Sequence, residues 1–223
     1  MIGNLQRFAD VVYYTAKEDF PMKRLTLFFI SLALFLTGCS SAPKPALEEM
    51  LGTLTESTYD SPFGFTIDGA QMRIFSRDDL AAVNQVEEFT PEALSAQTDK
   101  GNAVTVFAAA PTSGASISLS LFPAANLPGD IRTAVDYAAY GLPLITEKLN
   151  SAGYSNVQVQ QVEVTLGDEA HPAILCSAQI AEGVPYHLLQ ICFGKDGWMG
   201  SLSLASMESE DALGELLTCI TTN

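Results

Sequence analysis

Residues 157–205, which read VQVQQVEVTLGDEAHPAILCSAQIAEGVPYHLLQICFGKDGWMGSLSLA, decide the fold of this 223-residue chain. The stretch contains four segments rich in β-branched, aromatic and other apolar residues, a composition typical of strands. These segments are residues 157–166, 173–180, 186–193 and 198–205. Their connectors are short and each contains glycine. Strands joined this closely run antiparallel, because a parallel pair needs a crossover of a dozen or more residues. The stretch therefore predicts a four-strand antiparallel meander.

A segment with the apolar periodicity of a helix precedes the meander. Apolar residues recur there at spacings of three and four, which places them on one face of a helix. They are Ile131, Val135, Ala138, Leu142, Ile145 and Leu149. We expect Asp130 to cap this helix and Gly153 to end it. Pro143 lies inside the period and disfavours an uninterrupted helix, so the pattern predicts either one kinked helix or two abutting pieces that share a buried face.

Further elements flank this central part of the chain. Residues 59–67 and 71–75 alternate around Asp68-Gly69, a turn pair that predicts a β-hairpin. Two short helices are expected next, over residues 77–83 and after the N-cap Thr90, followed by strands at 104–109 and 116–122. A last helix over 210–220 would bury Leu213, Leu216, Leu217 and Ile220.

This order of elements resembles the PsbP/Mog1-like group. Residues 162–173, VEVTLGDEAHPA, look like that group's strand, glycine-containing turn and next strand start, although a glycine expected soon after the turn is Glu169 or Ala170 here. The opening FGFTI at 63–67, followed by FSRDDL at 75–80, is also similar. The resemblance covers about residues 59–220 and implies an α+β fold, an α/β/α sandwich in which the long helix and the C-terminal helix pack on an antiparallel sheet. Fold alone implies no activity.

The N-terminal part resembles a bacterial lipoprotein signal. Lys23 and Arg24 precede an apolar run over 25–36, which is too short to span a bilayer. The run closes with a lipobox, Leu36-Thr37-Gly38-Cys39. The resemblance implies that Cys39 carries a diacylglycerol thioether, with palmitate among its acyl chains, and is the first residue of the mature protein.

These signals divide the chain into four parts. Residues 1–21 lack the basic and apolar character of a signal, so we expect translation to start at Met22 or this segment to be disordered. A signal peptide follows at 22–38, a lipidated tether at 39–57 and the PsbP/Mog1-like domain at 58–223. The predicted location is the extracytoplasmic face of the cell membrane, with the lipid as anchor.

The charge balance limits the partners. From Cys39 onward the chain has seven Lys or Arg against 23 Asp or Glu, a formal charge of −16. Nucleic acid is excluded as a partner, because binding it needs clustered basic residues. A solvated exported surface is the favoured interpretation of the acidity, and attraction of cations or basic partners is the alternative.

Three cysteines remain after Cys39. Cys176 and Cys192 lie in strand-like segments, where a free cysteine behaves as a small apolar residue. We expect these two thiols to be free, with a cross-strand disulfide between them as the alternative. Cys219 is the third. The spacings do not match a zinc site.

Few residues could support chemistry. His171, with Asp168 and Glu169 nearby, could be a metal ligand or a general base, but an exposed turn residue is the favoured interpretation. Acid pairs such as Asp78-Asp79 are expected to cap helices rather than bind calcium.

Large apolar residues of the meander could lie in the core or form a surface patch for a partner. Tyr186, Trp198 and Met199 are expected in the core rather than in a surface patch. The sequence thus predicts no catalytic set and no cofactor. It favours a non-enzymatic binding or accessory module with a possible envelope protein partner; the alternatives are an extracytoplasmic hydrolase and a cation-binding protein.

Overall fold

The computed structural model describes residues 47–111, 114–180 and 183–222. The predicted start at Met22, the signal peptide, Cys39 and the first part of the tether lie outside these ranges. The elements in chain order are α1 (Leu47–Met50), β1 (Thr53–Leu54), β2 (Thr58–Asp60), β3 (Phe65–Asp68), β4 (Arg73–Ile74), α2 (Arg77–Val83), α3 (Pro91–Asp99), β5 (Val104–Ala110), β6 (Ala115–Pro123), α4 (Ala134–Ser151), β7 (Ser155–Leu166), β8 (Glu169–Gln179), β9 (Pro185–Lys195), β10 (Trp198–Ser206), α5 (Asp211–Thr218) and β11 (Ile220–Thr222).

The predicted meander forms most of the larger sheet. Its seven strands lie in the order β4-β5-β6-β10-β9-β8-β7, and every pair is antiparallel. The C-terminal strands β7 to β10 are neighbours in chain order, as the short connectors predicted. Strand β10 then pairs with β6, which joins the meander to the earlier hairpin of β5 and β6.

The predicted hairpin around Asp68-Gly69 is wrong. Strand β3 pairs instead with β2 and with β11, in a smaller sheet of order β1-β2-β3-β11. At Asp68 the side chain accepts a hydrogen bond from the Ala70 N–H at 2.9 Å, and the Met72 N–H donates to the Gly69 carbonyl. This turn carries the chain out of the smaller sheet, so that β4 pairs with β5 in the larger one.

The long helix is a single element, α4, with Pro143 inside it. Its N-cap is Thr133 rather than the predicted Asp130, because Thr133 and Asp136 form a reciprocal capping box. Val135 is 55% exposed and does not belong to the buried face. Gly153 follows the helix with φ +84°, and the Tyr154 N–H donates to the Leu149 carbonyl, which confirms the predicted end.

The C-terminal helix is shorter than predicted. Helix α5 buries Leu213 and Leu216, but Ile220 lies beyond it in β11, opposite Ile67 of β3. Ile220 follows Leu217 at a helical spacing of three residues. That spacing alone does not show that Ile220 is the first residue of a short strand rather than part of a last helical turn.

The larger sheet is covered on both faces. On one face, α4 packs through Tyr137, Ala138 and Ile145 against a cluster that includes Cys176 and Cys192. On the other face lie the smaller sheet and α5, in a cluster that includes β6 residues. The predicted α+β class, with helices on both faces of an antiparallel sheet, is confirmed. Within the described ranges, no helix is both long and apolar enough to cross a membrane.

Leu47 and Met50, within the stretch predicted as a tether, are packed. Leu47 and Met50 of α1 are 5% and 3% exposed and belong to the same core cluster as the smaller sheet. Tyr59 donates a hydrogen bond from its hydroxyl to the Leu51 carbonyl at 2.9 Å. The end of the predicted tether is therefore part of the folded domain.

Candidate functional site

An open cleft of about 350 Å³ lies where the two sheets meet. The turn between β2 and β3, with the start of β3, forms one side of it. The turn between β7 and β8, with the strand ends beside it, forms another, and β9 and β11 supply the remainder. The lining residues are Phe63, Gly64, Phe65, Leu166, Asp168, Glu169, His171, Phe193 and Thr222. We refer to this site as the junction cleft.

Aromatic rings form the wall of the junction cleft. The Phe193 ring centroid lies 5.6 Å from that of Phe63 and 4.9 Å from that of Phe65. The His171 ring is 4.9 Å from the same Phe193 ring, tilted by 52°. Phe65 and Phe193 are buried, whereas Phe63 and His171 are half-buried. The two half-buried rings are therefore the ones that a ligand in the cleft can reach.

Local hydrogen bonds position Phe63. The Ser61 N–H donates to the Phe65 carbonyl at 2.8 Å, and the Phe63 N–H donates to the Ser61 hydroxyl at 3.2 Å. Gly64 has φ +88°, a conformation that favours glycine. These bonds close a tight turn and direct Phe63 back over the larger sheet.

A glycine makes the close approach of Phe63 possible. Gly200 lies directly opposite Phe193 in the pairing of β10 with β9. A Cβ atom at Gly200 would lie 2.5 Å from Cε2 of Phe63, closer than van der Waals contact permits. The Phe63 ring thus occupies the space that a side chain at Gly200 would take.

The structure brings the three predicted polar candidates to one place. Asp168 and Glu169 are exposed at the rim of the junction cleft, and His171 lies deeper in its wall. His171 is the third residue of β8, so the expectation of an exposed turn residue is wrong. Among the described residues, no group of three or more His, Cys, Asp or Glu could hold a metal ion, and the three residues are thus not arranged as a metal site.

A lysine lies beside the cleft. The Lys195 ammonium donates a hydrogen bond to the Pro62 carbonyl at 2.6 Å, which ties the end of β9 to the turn before Phe63. Lys195 does not line the cleft itself.

The cysteines are not part of this site. Cys176 and Cys192 are buried free thiols and Cys219 is a half-buried one, so the predicted free state is confirmed and the disulfide alternative is wrong. Burial raises the pKa of both the Cys176 and the Cys192 thiols to about 12. Thiols with so high a pKa hold their protons at neutral pH and are poor nucleophiles.

Other candidates also have structural roles. Tyr186, Trp198 and Met199 are 1%, 1% and 3% exposed, so the prediction that they form core is confirmed. Asp79 accepts a hydrogen bond from the Ser76 N–H at 3.0 Å in the capping box of α2, which confirms the expected capping role for this member of the Asp78-Asp79 pair.

Sequence reasoning did not identify the aromatic wall. Phe63 and Phe193 are each followed by glycine, at a turn and near a strand end respectively. An aromatic residue before glycine at the end of a strand was the available signal, but only the pairing of β9 with β10 shows that the two rings meet over Gly200.

Residues 22–40 match the sequence profile of the prokaryotic membrane lipoprotein lipid attachment site. The predicted lipobox is confirmed. The protein is an exported, lipid-anchored membrane lipoprotein. No curated protein is similar enough in sequence to count as a match.

Several solved structures overlap loosely with the chain. CyanoP, the cyanobacterial PsbP from Synechocystis sp. PCC 6803, is 11% identical, with a TM-score of 0.41, and the overlap covers 83% of this chain and 98% of that one. LpqN of Mycobacterium tuberculosis, described as involved in cell envelope biogenesis, is 17% identical over 55% of this chain and 72% of its own, with a TM-score of 0.31.

A third structure is a protein of unknown function from Pseudomonas aeruginosa, described as a putative regulator. It is 16% identical, with a TM-score of 0.29; the overlap covers 45% of this chain, and the chain spans 62% of the length of that protein. At these identities and TM-scores the overlaps carry no information on activity.

Proposed function

We propose that this lipoprotein acts on the extracytoplasmic face of the membrane as a non-enzymatic binding or accessory module, held there by a lipid on Cys39. The lipid attachment site at residues 22–40 is the observation that carries the proposal. Two acyl chains suffice for stable anchoring without any protein segment in the bilayer. The signal peptide ends at Gly38 in this proposal, and acyl chains such as palmitate modify Cys39.

The junction cleft is the proposed binding site. It is open, it has two reachable rings, and its rim is charged. Ligand sites are usually concave, with volumes of about 300–1,000 Å³ and a small number of placed polar groups. A partner protein in the envelope could insert a side chain there while the anchor keeps the domain close to the membrane.

Replacement of Cys39 tests the anchoring. Cys39→Ser should prevent incorporation of radiolabelled palmitate and move the chain from the membrane fraction to the soluble fraction. Ser40→Ala is the matched control and should leave both unchanged. Protease accessibility from outside intact cells, or from outside spheroplasts where an outer membrane is present, tests the face of the membrane. A Cys39→Ser chain that stays labelled and membrane-bound would contradict the proposal.

Site-specific crosslinking tests the binding role. A photo-crosslinking residue at Thr222, an exposed residue of the cleft, should give a reproducible adduct with one envelope protein. The same residue at exposed Glu92 in α3 should not. Equal adducts from both positions, or none from either, would contradict binding at the cleft.

A second candidate function is hydrolysis, because one cleft contains His171, Asp168 and Glu169. Here His171 would be the general base for a water molecule. Purified protein would then turn over a cell-wall or phosphoester substrate, and His171→Ala would abolish that turnover. Such a result would also contradict the non-enzymatic proposal.

A further inference from the structure

We propose that the junction cleft binds an organic cation, and specifically a lysine or arginine side chain presented by a protein partner. This inference rests on the proposed function and names its ligand class. It combines three features of the cleft: an aromatic wall, an acidic rim and a shape fixed before binding.

The aromatic wall is suited to a cation. Phe63 is half-buried, and its ring lies beside that of Phe193 with centroids 5.6 Å apart and an angle of 34° between the rings. The negative face of an aromatic ring attracts an ammonium or guanidinium group within about 6 Å of its centroid. The alkyl stem of such a side chain can meanwhile lie against Leu166, which also lines the cleft.

The acidic rim selects for positive charge. Asp168 and Glu169 supply two carboxylates at the mouth, and none of the described lining residues is Lys or Arg. The Lys195 ammonium keeps its positive charge beside the cleft, where it donates to the Pro62 carbonyl, so the two rim carboxylates exceed it by one charge. The mature chain also carries a formal charge of −16, which attracts basic partners and repels anions over longer distances.

The cleft is fixed before binding by close packing on both sides. The Phe63 ring rests against Gly200. In the turn between β7 and β8, Gly167 has φ +59°, and the Thr222 side chain contacts it so closely that no Cβ would fit. A preformed site avoids the entropic cost of ordering its own loops on binding.

Matched small probes test the charge preference on the lipidated full chain in detergent. Ligand-observed NMR titrations should show saturable binding of n-butylammonium and n-butylguanidinium. The neutral n-butanol and the anionic n-butyrate, with the same alkyl length, should bind at least about tenfold more weakly. Tetramethylammonium represents a choline headgroup and should also bind more weakly than the two side-chain analogues.

Amino-acid substitutions test whether the cation binds in the junction cleft. Asp168→Asn together with Glu169→Gln should weaken butylammonium about fivefold, since two exposed carboxylates are lost. Phe63→Leu keeps apolar bulk but removes the ring face, and should weaken binding about threefold. Glu87→Gln with Glu88→Gln removes the same charge from an exposed loop outside the cleft and should have no effect.

Four outcomes would overturn the inference. The first is that no cation binds, and the second is that n-butanol binds as tightly as n-butylammonium. The third is that the Glu87 and Glu88 control weakens binding as much as the Asp168 and Glu169 variant. The fourth is that tetramethylammonium binds most tightly, which would indicate a lipid headgroup. Because the rim residues are exposed, their double variant keeps the test valid even if Phe63→Leu fails to fold. If cations do not bind but the Thr222 adduct still forms, only the ligand class is wrong and the proposed function stands.

Discussion

At the residue scale, thiol reactivity tests the burial of the cysteines. We expect a maleimide at pH 8 to modify Cys219 in the folded protein and to leave Cys176 and Cys192 unmodified. Burial raises the pKa of each of these two thiols to about 12, so both stay protonated at that pH. Peptide mass spectrometry would measure the modification site by site.

Denaturant provides the control for this labelling. In urea, all three cysteines should react at similar rates, because burial is the cause of the raised pKa values. Fast labelling of Cys176 in the folded protein would show that α4 does not cover it.

The sequence predicted single residues well where burial alone decides their role. Trp198 and the two strand cysteines could be assigned to the core because tryptophan and free cysteine side chains are usually buried, whichever face of the strand they occupy. The role of His171 depends on a neighbour, Phe193, that is 22 residues away in the chain. No local pattern contains that contact, and the sequence therefore favoured an exposed turn.

At the element scale, the pH dependence of unfolding tests the capping box of α4. Asp136 accepts a hydrogen bond from the Thr133 hydroxyl at 2.8 Å, and this bond, with backbone N–H donors of Arg132 and Thr133, lowers the pKa of the carboxyl. A group whose pKa is lower in the folded state stabilises the fold above its unfolded pKa. That stabilisation is lost as pH falls through the folded pKa.

Asp136→Asn should therefore lower the free energy of unfolding at pH 7, because the charge at the helix N-terminus is lost. Urea unfolding measured across pH should show the difference between variant and parent shrinking below the ordinary carboxyl pKa of 3.8 and vanishing once Asp136 is protonated in the fold. A difference that persists unchanged at pH 2 would show that charge is not the cause.

Helix α1 provides a second test at this scale. Leu47→Ala should lower the free energy of unfolding by about 2 kcal/mol, because a buried side chain would leave a cavity. Glu48→Ala, its exposed neighbour, should change stability by less than about 0.5 kcal/mol. Equal effects in urea unfolding would indicate that this segment is a free tether.

Element boundaries were least predictable where a short segment depends on a distant partner. Helix α4 was predictable from its own apolar periodicity, although Thr133 rather than the predicted Asp130 caps it. Strand β11 has three residues, and only pairing with β3 makes it a strand. The predicted hairpin failed for the same reason, since β3 finds its partners at β2 and β11 rather than across Asp68-Gly69.

At the scale of the whole molecule, the junction between the two sheets forms the cleft, and this feature was the least accessible from sequence. The larger sheet follows from connector lengths and alternation. The smaller sheet joins residues near the start and the end of the described chain, and the packing of Phe63 on Gly200 connects the two sheets. The cleft exists only because these distant segments meet.

Two glycine substitutions test whether the contact between Phe63 and Gly200 stabilises the fold. Gly200→Ala should lower the free energy of unfolding by about 2 kcal/mol, because the new methyl group would displace the Phe63 ring. Gly214→Ala in α5 meets no atom within 4 Å and should raise it by about 0.5 kcal/mol, as expected for alanine in a helix. Urea unfolding of the three proteins would measure both changes.

The two glycine variants should also differ in their affinity for butylammonium. If Phe63 forms the cleft wall, Gly200→Ala should weaken butylammonium binding at temperatures where the protein remains folded, whereas Gly214→Ala should not. Destabilisation by Gly200→Ala with unchanged binding would show that Phe63 stabilises the junction without contacting the ligand. Phe63→Leu would then leave affinity unchanged, and the aromatic wall would not be part of the binding site.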